Sequence, residues 1–245
     1  MVSSSPDGSF QSEWHNVNFP VLTEGGKAAD FDWTAKPHNL TSAVIALRDW
    51  IQEAPGYKES FEFKQVMAHL PNQTEQVGKS YALRLLTHYV GDIHSPLHVA
   101  EQVNSEHPSG DNNGFDFPLP KIDGISNLHD AFETDLYAMH EKISLPFTEE
   151  SYAALLVKSM EMKNQFTDYE LEDVNEKDVD NWTTMSYEFA VVTAYDVLQE
   201  GQAVDPTLYD GLRYFLELGA VSAGYRLAIM MQDTFGVPKE ELKFL

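Results

Sequence analysis

The chain has 245 residues, of which 42% are hydrophobic and 12% aromatic, proportions typical of a folded globular protein rather than a disordered one. It carries 16 Lys and Arg against 39 Asp and Glu, a formal net charge of −23, so its surface repels a nucleic-acid backbone unless cations intervene. Because there is no cysteine, thiolate metal sites, disulfides and a Cys nucleophile are excluded. Any transition-metal site must therefore use His with Asp or Glu.

The N-terminal segment, the apolar stretches and the glycosylation triplets give limited information on the cellular location of the protein. The N-terminal segment MVSSSPDGSFQSEW has no charged head followed by an apolar run, so no signal peptide is visible in it. No apolar stretch approaches the roughly 20 residues that a membrane span needs. Glycosylation acceptor triplets at Asn39, Asn72 and Asn181 favour a secreted protein only weakly, because such triplets are common by chance.

Apolar residues recur mainly at helical spacing, and no convincing alternating strand pattern is visible. This periodicity predicts helices over residues 41–54, 73–91, 128–143, 149–166, 178–200 and 205–235. The last helix is the best defined, since Asp205 and Pro206 form a typical start and Gly236 and Pro238 a typical stop.

Small residues line one side of the last predicted helix. Ala220, Gly224 and Ala228 recur at every fourth position, a smooth seam against which another backbone could pack closely. Tight packing in a core explains that seam without a ligand. Residues 16–40 and 101–127 are polar and rich in Gly, Pro, Asn and Asp, and loops of that length are usually functional or disordered. We therefore predict one all-α domain over residues 1–245 with two long polar loops.

The segment HYVGDIHSPLH, residues 88–98, concentrates three histidines and an aspartate. On a helix, residues four apart project from the same face, so His88 and Asp92 could ligate one ion. The same spacing returns in NLHDAFE at His129 and Glu133. Two further histidines, one in SEWHNVN and one just beyond the Pro of the first segment, extend the set. The candidate metal ligands are His15, His88, Asp92, His98, His129 and Glu133.

Each histidine also has an ordinary interpretation. A lone histidine is more often a residue with satisfied hydrogen bonds than a ligand, and polar pairs four apart are common on helices. Two such pairs flanked by apolar residues favour a metal, because a metal satisfies buried imidazoles and carboxylates together. His94 lies off the ligand face, which indicates a surface or supporting position. His38, His107 and His140 have no partner at metal spacing. Spacing alone leaves a metal site and ordinary packing equally open.

At these residues the sequence resembles the family of zinc-dependent single-strand-specific nucleases and 3′-nucleotidases (class I nucleases), which shares its helical fold with zinc phospholipase C. Four motifs carry the resemblance, in the family's order: WHNVN, HYVGDIHSPLH, NLHDAFE and AGYRLA. The resemblance runs from about Trp14 to the last predicted helix. It implies an all-α, phospholipase C/nuclease-like fold.

The resemblance also implies a zinc cluster, with three ions in the family and one to three expected here. By position, the ligands of the buried zinc would be His15, His88 and Asp92, and those of the more separate zinc His98, His129 and Glu133. Asp92 would bridge two ions and act as the catalytic carboxylate. A metal-activated water would attack the phosphorus in line, so single-stranded DNA or RNA would be cut to 5′-nucleotides. The ions would supply the positive field that the acidic chain lacks. The family implies a secreted, lysosomal or vacuolar location.

The sequence departs from the family's pattern at several positions. Family members begin with zinc-binding Trp and His residues and carry an Asp ligand and an Arg before the Trp-His element, whereas residues 1–13 contain no Trp, His or Arg. Asn16 stands where the family often has an aromatic residue, Phe115 where it has Asn, and Glu133 where it has Asp. We expect a copy of an active nuclease that lacks the family's N-terminal segment. The alternatives are a degenerate relative that binds zinc or phosphate without cutting, a phospholipase C-like hydrolase, and a helical domain with incidental histidines.

Overall fold

Helices dominate the fold in a computed structural model, which describes residues 9–70, 72–134 and 147–236. In chain order the α-helices are α1 (Leu40–Ile51), α2 (Phe61–His69), α3 (Glu75–Asp92), α4 (Pro96–Val99), α5 (Leu128–Glu133), α6 (Glu149–Lys163), α7 (Val179–Ala190) and α8 (Tyr209–Phe235). The strands are β1 (Phe19–Leu22), β2 (Ala100–Val103), β3 (Pro118–Ile122) and β4 (Ile125–Asn127). The predicted all-α fold class is confirmed.

Side-chain caps explain where several helices begin. Asn39 accepts a hydrogen bond from the backbone N–H of Ser42 at the start of α1, and Asn127 caps α5 in the same way. Thr74 caps α3 and Thr148 caps α6. Such caps satisfy N–H groups that have no partner within the helix. These starts lie within two residues of the predicted ones for α1, α3, α5 and α6.

One helix prediction needs correction, one lies partly outside the described residues, and one helix was missed. The helix predicted over residues 178–200 is α7 followed by a π-helical turn, Val191–Tyr195, so it ends at Tyr195 and not at Glu200. The helix predicted over 128–143 is described only as α5, and residues 135–146 lie outside the described part of the chain. Helix α2 was not predicted. It is short, and it starts where Ser60 accepts a hydrogen bond from the N–H of Phe63.

Two small sheets accompany the helices, although the sequence shows no convincing alternating strand pattern. β1 and β2 pair in parallel from Phe19 with Ala100 to Leu22 with Val103. β3 and β4 form an antiparallel hairpin that leads directly into α5. Strands of three to five residues are too short to produce a clear alternating pattern, and every residue of β2 is buried. The parallel pair holds the segment after His15 beside the segment after His98.

Two buried clusters account for most of the core. The first joins α1 and α3 to the Ser9–His15 segment, a 3₁₀-helix, and its largest fully buried side chains include Trp14, Leu47, Trp50 and Tyr89. The second surrounds α5 and includes Phe117, Leu128 and Phe132. The segments that carry the candidate ligands are therefore rigid and well packed.

Helix α8 crosses the turn after α3 at a glycine. A Cβ added to Gly219 would lie 2.7 Å from the carbonyl oxygen of His94, whereas one added to Gly224 would meet nothing within 4 Å. The close approach thus occurs at Gly219, and the seam predicted through Ala220, Gly224 and Ala228 is wrong at Gly224. Among the described residues, no helix combines the length and apolar content required to cross a membrane.

Candidate metal centre

Two groups of imidazole and carboxylate side chains lie beside each other. The first group is His15, His88 and Asp92, and the second group is His98, His129 and Glu133. Within each group the possible ligand atoms lie within 4.8 Å of one another. Nε2 of His98 lies 4.0 Å from Oδ1 of Asp92, so the two groups form one continuous cluster. All six residues selected from the sequence are brought together.

The first group is built by the last turn of α3 and the end of the Ser9–His15 segment. Nε2 of His88 lies 3.3 Å from Oδ2 of Asp92, as their spacing of four on one helix predicts. Nδ1 of His15 lies 2.9 Å from the same oxygen and 3.3 Å from Nε2 of His88. Burial raises the pKa of the Asp92 carboxyl, but hydrogen bonds from His15 and His88 outweigh that effect, so the pKa lies well below its usual value. Asp92 is therefore a carboxylate at neutral pH.

Two imidazoles of the second group are held by hydrogen bonds to their Nδ1 atoms. Nδ1 of His98 lies 2.7 Å from the carbonyl oxygen of His15 and 2.9 Å from Oδ1 of Asn16. Nδ1 of His129 lies 2.8 Å from the carbonyl oxygen of Asn113. Because a carbonyl oxygen only accepts, each Nδ1 carries a proton, and in the neutral ring Nε2 keeps its lone pair. Metal-binding histidines are commonly oriented in this way.

Glu133 completes the second group from α5. Its Oε1 lies 3.5 Å from Nε2 of His98 and accepts a hydrogen bond of 2.9 Å from Oγ of Ser95. Burial lowers the pKa of His98, but the carboxylates of Glu133 and Asp92 overcome that effect and the net pKa is raised. A metal ion at this group would therefore compete with a proton on His98.

A left-handed loop supports His129, and sequence reasoning did not select it. Asn112, Asn113 and Gly114 have φ angles of 55°, 57° and 84°, a conformation that Asn and Gly adopt more readily than other residues. The loop presents the Asn113 carbonyl to the His129 ring, and the Gly114 carbonyl accepts a 3.2 Å hydrogen bond from the His129 N–H. The signal in the sequence was Asp-Asn-Asn-Gly, residues 111–114, a typical turn composition.

Asp111 anchors this loop from the interior. It has no exposed surface, and it accepts hydrogen bonds from the backbone N–H groups of Gly114 at 3.1 Å and Gln102 at 3.0 Å and from the hydroxyl of Tyr195 at 3.0 Å. Burial raises the pKa of Asp111 to about 6, although the hydrogen bonds from Gly114, Tyr195 and Gln102 oppose the shift. The carboxyl thus connects the π-helical turn to the loop that orients His129.

Phe115 covers one side of His129. The two rings are stacked with centroids 3.9 Å apart and planes 20° apart, while 44% of Phe115 remains exposed. A stacked ring restricts how the imidazole can turn. The position that the resemblance marked as a departure is therefore in contact with a candidate ligand.

His94 lies outside both groups, in the core behind the turn that follows Asp92. Only 7% of it is exposed, so the surface position that the sequence left open is wrong. Its Nδ1 lies 2.7 Å from the carbonyl oxygen of Val90, and its Nε2 lies 2.8 Å from Nη1 of Arg226. Burial, reinforced by the Arg226 charge, lowers the pKa of His94 to about 3. The ring is neutral at physiological pH.

The other histidines do not join a ligand group in the described part of the chain. His38 stacks on Phe61 with centroids 3.8 Å apart. His107 lies 2.9 Å from Oε1 of Glu200. His140 lies outside the described residues. The interpretation of His38 and His107 as ordinary residues is consistent with these contacts.

A cavity of about 460 Å³ opens beside both groups, and His88, Asp92 and Glu133 line part of it. Phe132, from the same helix as Glu133, also lines the cavity. Helices α6 and α8 contribute Met162, Leu216, Glu217, Ala220 and Ala223. The cluster is thus accessible to a ligand of nucleotide size.

The residues present fit a transition metal of the zinc type. The donor set is imidazole nitrogen and carboxylate oxygen, three side chains to a group, and zinc sites with three protein ligands leave a fourth position open.

Comparison with known proteins agrees with this geometry. A search of curated proteins found no match for the chain. The family model described as S1/P1 Nuclease matches residues 4–236, which span the Ser9–His15 segment, both groups and α8. The chain therefore belongs to the S1/P1 nuclease family.

Proposed function

We propose that the chain is a zinc-dependent phosphodiesterase that cleaves single-stranded DNA or RNA to 5′-nucleotides. Membership of the S1/P1 nuclease family implies a nuclease. The observation that carries the finer proposal is the junction of the two groups, with Nε2 of His98 4.0 Å from Oδ1 of Asp92, beside a cavity open to a nucleotide. One to three zinc ions would be held by the six side chains.

Different residues of the chain have different roles in the proposed reaction. Asp92 is the catalytic candidate, because its Oδ2 faces His15 and His88 while its Oδ1 faces His98. Its carboxylate would help to hold an ion at the first group. His98 and His129 are oriented through Nδ1. Bound zinc would lower the pKa of a coordinated water and neutralise phosphate oxygens.

The negative charge of the chain supports the proposal that phosphate binds through metal ions. At a net charge of −23, the surface repels a phosphodiester over long range. Divalent ions at the two groups would reverse the sign of the field locally. Nucleic acid would therefore bind at the cluster and not along a basic surface.

A secreted, lysosomal or vacuolar location is part of the proposal. Of the three glycosylation acceptors, Asn72 and Asn181 are exposed. Asn39 caps α1 through its side chain, so we propose Asn72 and Asn181 as the modified sites. Expression in a secreting eukaryotic host, followed by glycosidase treatment and mass measurement, tests this.

The central experiment is a cleavage assay with added zinc on single-stranded DNA, single-stranded RNA and phosphatidylcholine. The variant is His129→Ala, which removes one imidazole of the second group. The matched control is His69→Ala, because His69 is an exposed histidine at the end of α2 outside both groups. Wild type and control should cleave the nucleic acids to products with 5′-phosphates, and His129→Ala should lose most of that activity.

Other outcomes point to other functions. Cleavage of phosphatidylcholine in preference to nucleic acid would favour a phospholipase C-like enzyme. Equal background activity in wild type and His129→Ala, with zinc still bound by the wild type, would favour a protein that binds zinc or phosphate without cutting. Either result would overturn the proposed activity.

A further inference from the structure

A carboxylate that belongs to neither group lines the same cavity. Glu217 lies on α8 and is half-buried. Among the described residues it has no hydrogen-bond or ion-pair partner. Leu216, Ala220 and Ala223 line the cavity from the same helix, so one face of α8 points into it. The carboxylate is therefore available to a ligand.

The position of Glu217 relative to the cluster is fixed by backbone packing. Gly219 lies against the carbonyl oxygen of His94, where an added Cβ would come within 2.7 Å. Asp92 precedes that carbonyl by two residues. Because α8 touches the turn after α3 without an intervening side chain, Glu217 is held at a constant offset from the first group.

The cavity offers three different surfaces to a ligand. His88, Asp92 and Glu133 form the metal-binding side, where a phosphate would lie. Phe132, Met162 and Leu216 supply apolar surface, which suits the flat face of a nucleobase. Glu217 supplies hydrogen-bond acceptors. A volume of about 460 Å³ is within the range of small-ligand pockets.

We infer that Glu217 recognises the base next to the scissile phosphate and favours guanine there. This inference rests on the proposed function. A carboxylate has only acceptors. Guanine presents two adjacent donors, N1–H and N2–H, and can form a pair of charge-assisted hydrogen bonds. Adenine and cytosine present one amino donor beside a ring nitrogen acceptor. Uracil and thymine present a single N–H between two carbonyl oxygens, which repel the carboxylate.

The test measures kcat/KM on two series of dinucleoside monophosphates. In the first series the base on the 5′ side of the phosphate varies and the 3′ base is uracil. In the second series the base on the 3′ side varies and the 5′ base is uracil. In one series guanine should exceed uracil by roughly tenfold. Glu217→Gln replaces one acceptor with a donor, an arrangement that matches adenine. Its preference should move from guanine to adenine by a similar factor. Glu188→Gln, the same change at an exposed residue of α7, should keep the guanine preference.

Failure of this inference differs from failure of the proposed function. Cleavage with equal kcat/KM for all four bases in both series, or a guanine preference that persists in Glu217→Gln, would overturn the role of Glu217 alone. If wild type cuts no dinucleotide, the nuclease proposal fails, and calorimetry with guanosine and uridine monophosphates decides the role of Glu217. Binding of the guanosine compound roughly tenfold tighter than the uridine compound, abolished in Glu217→Gln, would support it. Equal affinities would overturn it.

Discussion

Arg226 donates a hydrogen bond to His94, with Nη1 2.8 Å from Nε2. The same guanidinium donates through Nη2 to the carbonyl oxygen of Asp173 at 3.0 Å and lies over the ring of Trp182 at 5.2 Å. Since His94 uses Nδ1 to reach the carbonyl oxygen of Val90, its Nε2 must accept, and the ring is neutral. The pair joins α8 to the turn that follows Asp92, so two motifs remote in sequence form one structural unit.

We expect Arg226→Lys to destabilise the protein by about 2 kcal/mol. A lysine ammonium on a flexible stem cannot reach both His94 and the Asp173 carbonyl with the geometry of a guanidinium, and an unsatisfied buried acceptor costs roughly 1–3 kcal/mol. Urea unfolding of Arg226→Lys, His94→Gln and the double variant measures the coupling between the two residues. If the two single effects add without coupling, the contact does not contribute as described.

Removal of one candidate ligand should weaken stabilisation by zinc. Saturating zinc raises the free energy of unfolding by about 4 kcal/mol at 1,000 times Kd, and a chelator should abolish that gain. His129→Ala should keep only part of it, because the first group is intact, while His69→Ala should keep all of it. The measurement is thermal melting with zinc or a chelator, with zinc content from elemental analysis. An identical response in His129→Ala and wild type would argue against the second group as a metal site.

Asp111 should give the unfolding free energy a distinct pH dependence. Its pKa is about 6 in the folded protein and about 3.9 in an unfolded chain. Between pH 4 and 6 the folded state therefore binds more protons than the unfolded state, and stability falls as pH rises through that window. The loss from this group is up to about 3 kcal/mol.

The variant Asp111→Asn isolates that contribution, because asparagine does not titrate. The stability of wild type relative to Asp111→Asn should decrease from pH 4 to pH 6 and then become constant. Urea unfolding of both proteins at intervals of half a pH unit measures this difference. A difference that stays constant over the whole range would mean that the Asp111 carboxyl is not shifted by its surroundings.

Two glycines of α8 should respond in opposite directions to the same change. Gly219→Ala would force the His94 carbonyl and α8 apart, and such overpacking costs about 1–3 kcal/mol. Gly224→Ala has open space for its methyl group and should gain about 1 kcal/mol, since alanine favours a helix more than glycine does. Chemical unfolding of both variants measures the effects. Equal effects would show that α8 does not pack against the turn at Gly219.

Much of the site could be anticipated because its ligands follow local rules. His88 with Asp92 and His129 with Glu133 are pairs four residues apart, and helical geometry alone directs each pair to one face. The absence of cysteine restricted the donors to imidazole and carboxylate. The helix starts were predictable for the same reason, since Asn39 and Thr74 cap helices through contacts three residues away.

The remaining features depended on contacts between distant segments. Asp111 and Asn113 support His129 through a left-handed loop, and Asp111 ties that loop to Gln102 and Tyr195. The short parallel pair β1–β2 has too few residues for a recognisable pattern, yet it sets His15 beside His98. No sequence motif singled out Glu217, because it becomes notable only by lining a cavity that the packing of α8 creates.

By itself the sequence determined the helical class, the ligand chemistry and the pairing of ligands within each helix, because these follow from composition and from periodicity over a few residues. The tertiary structure alone decided that the two groups meet 4.0 Å apart, which histidines are oriented through Nδ1, and that Glu217 shares their cavity. Those properties arise from long-range backbone contacts, and no local pattern encodes them.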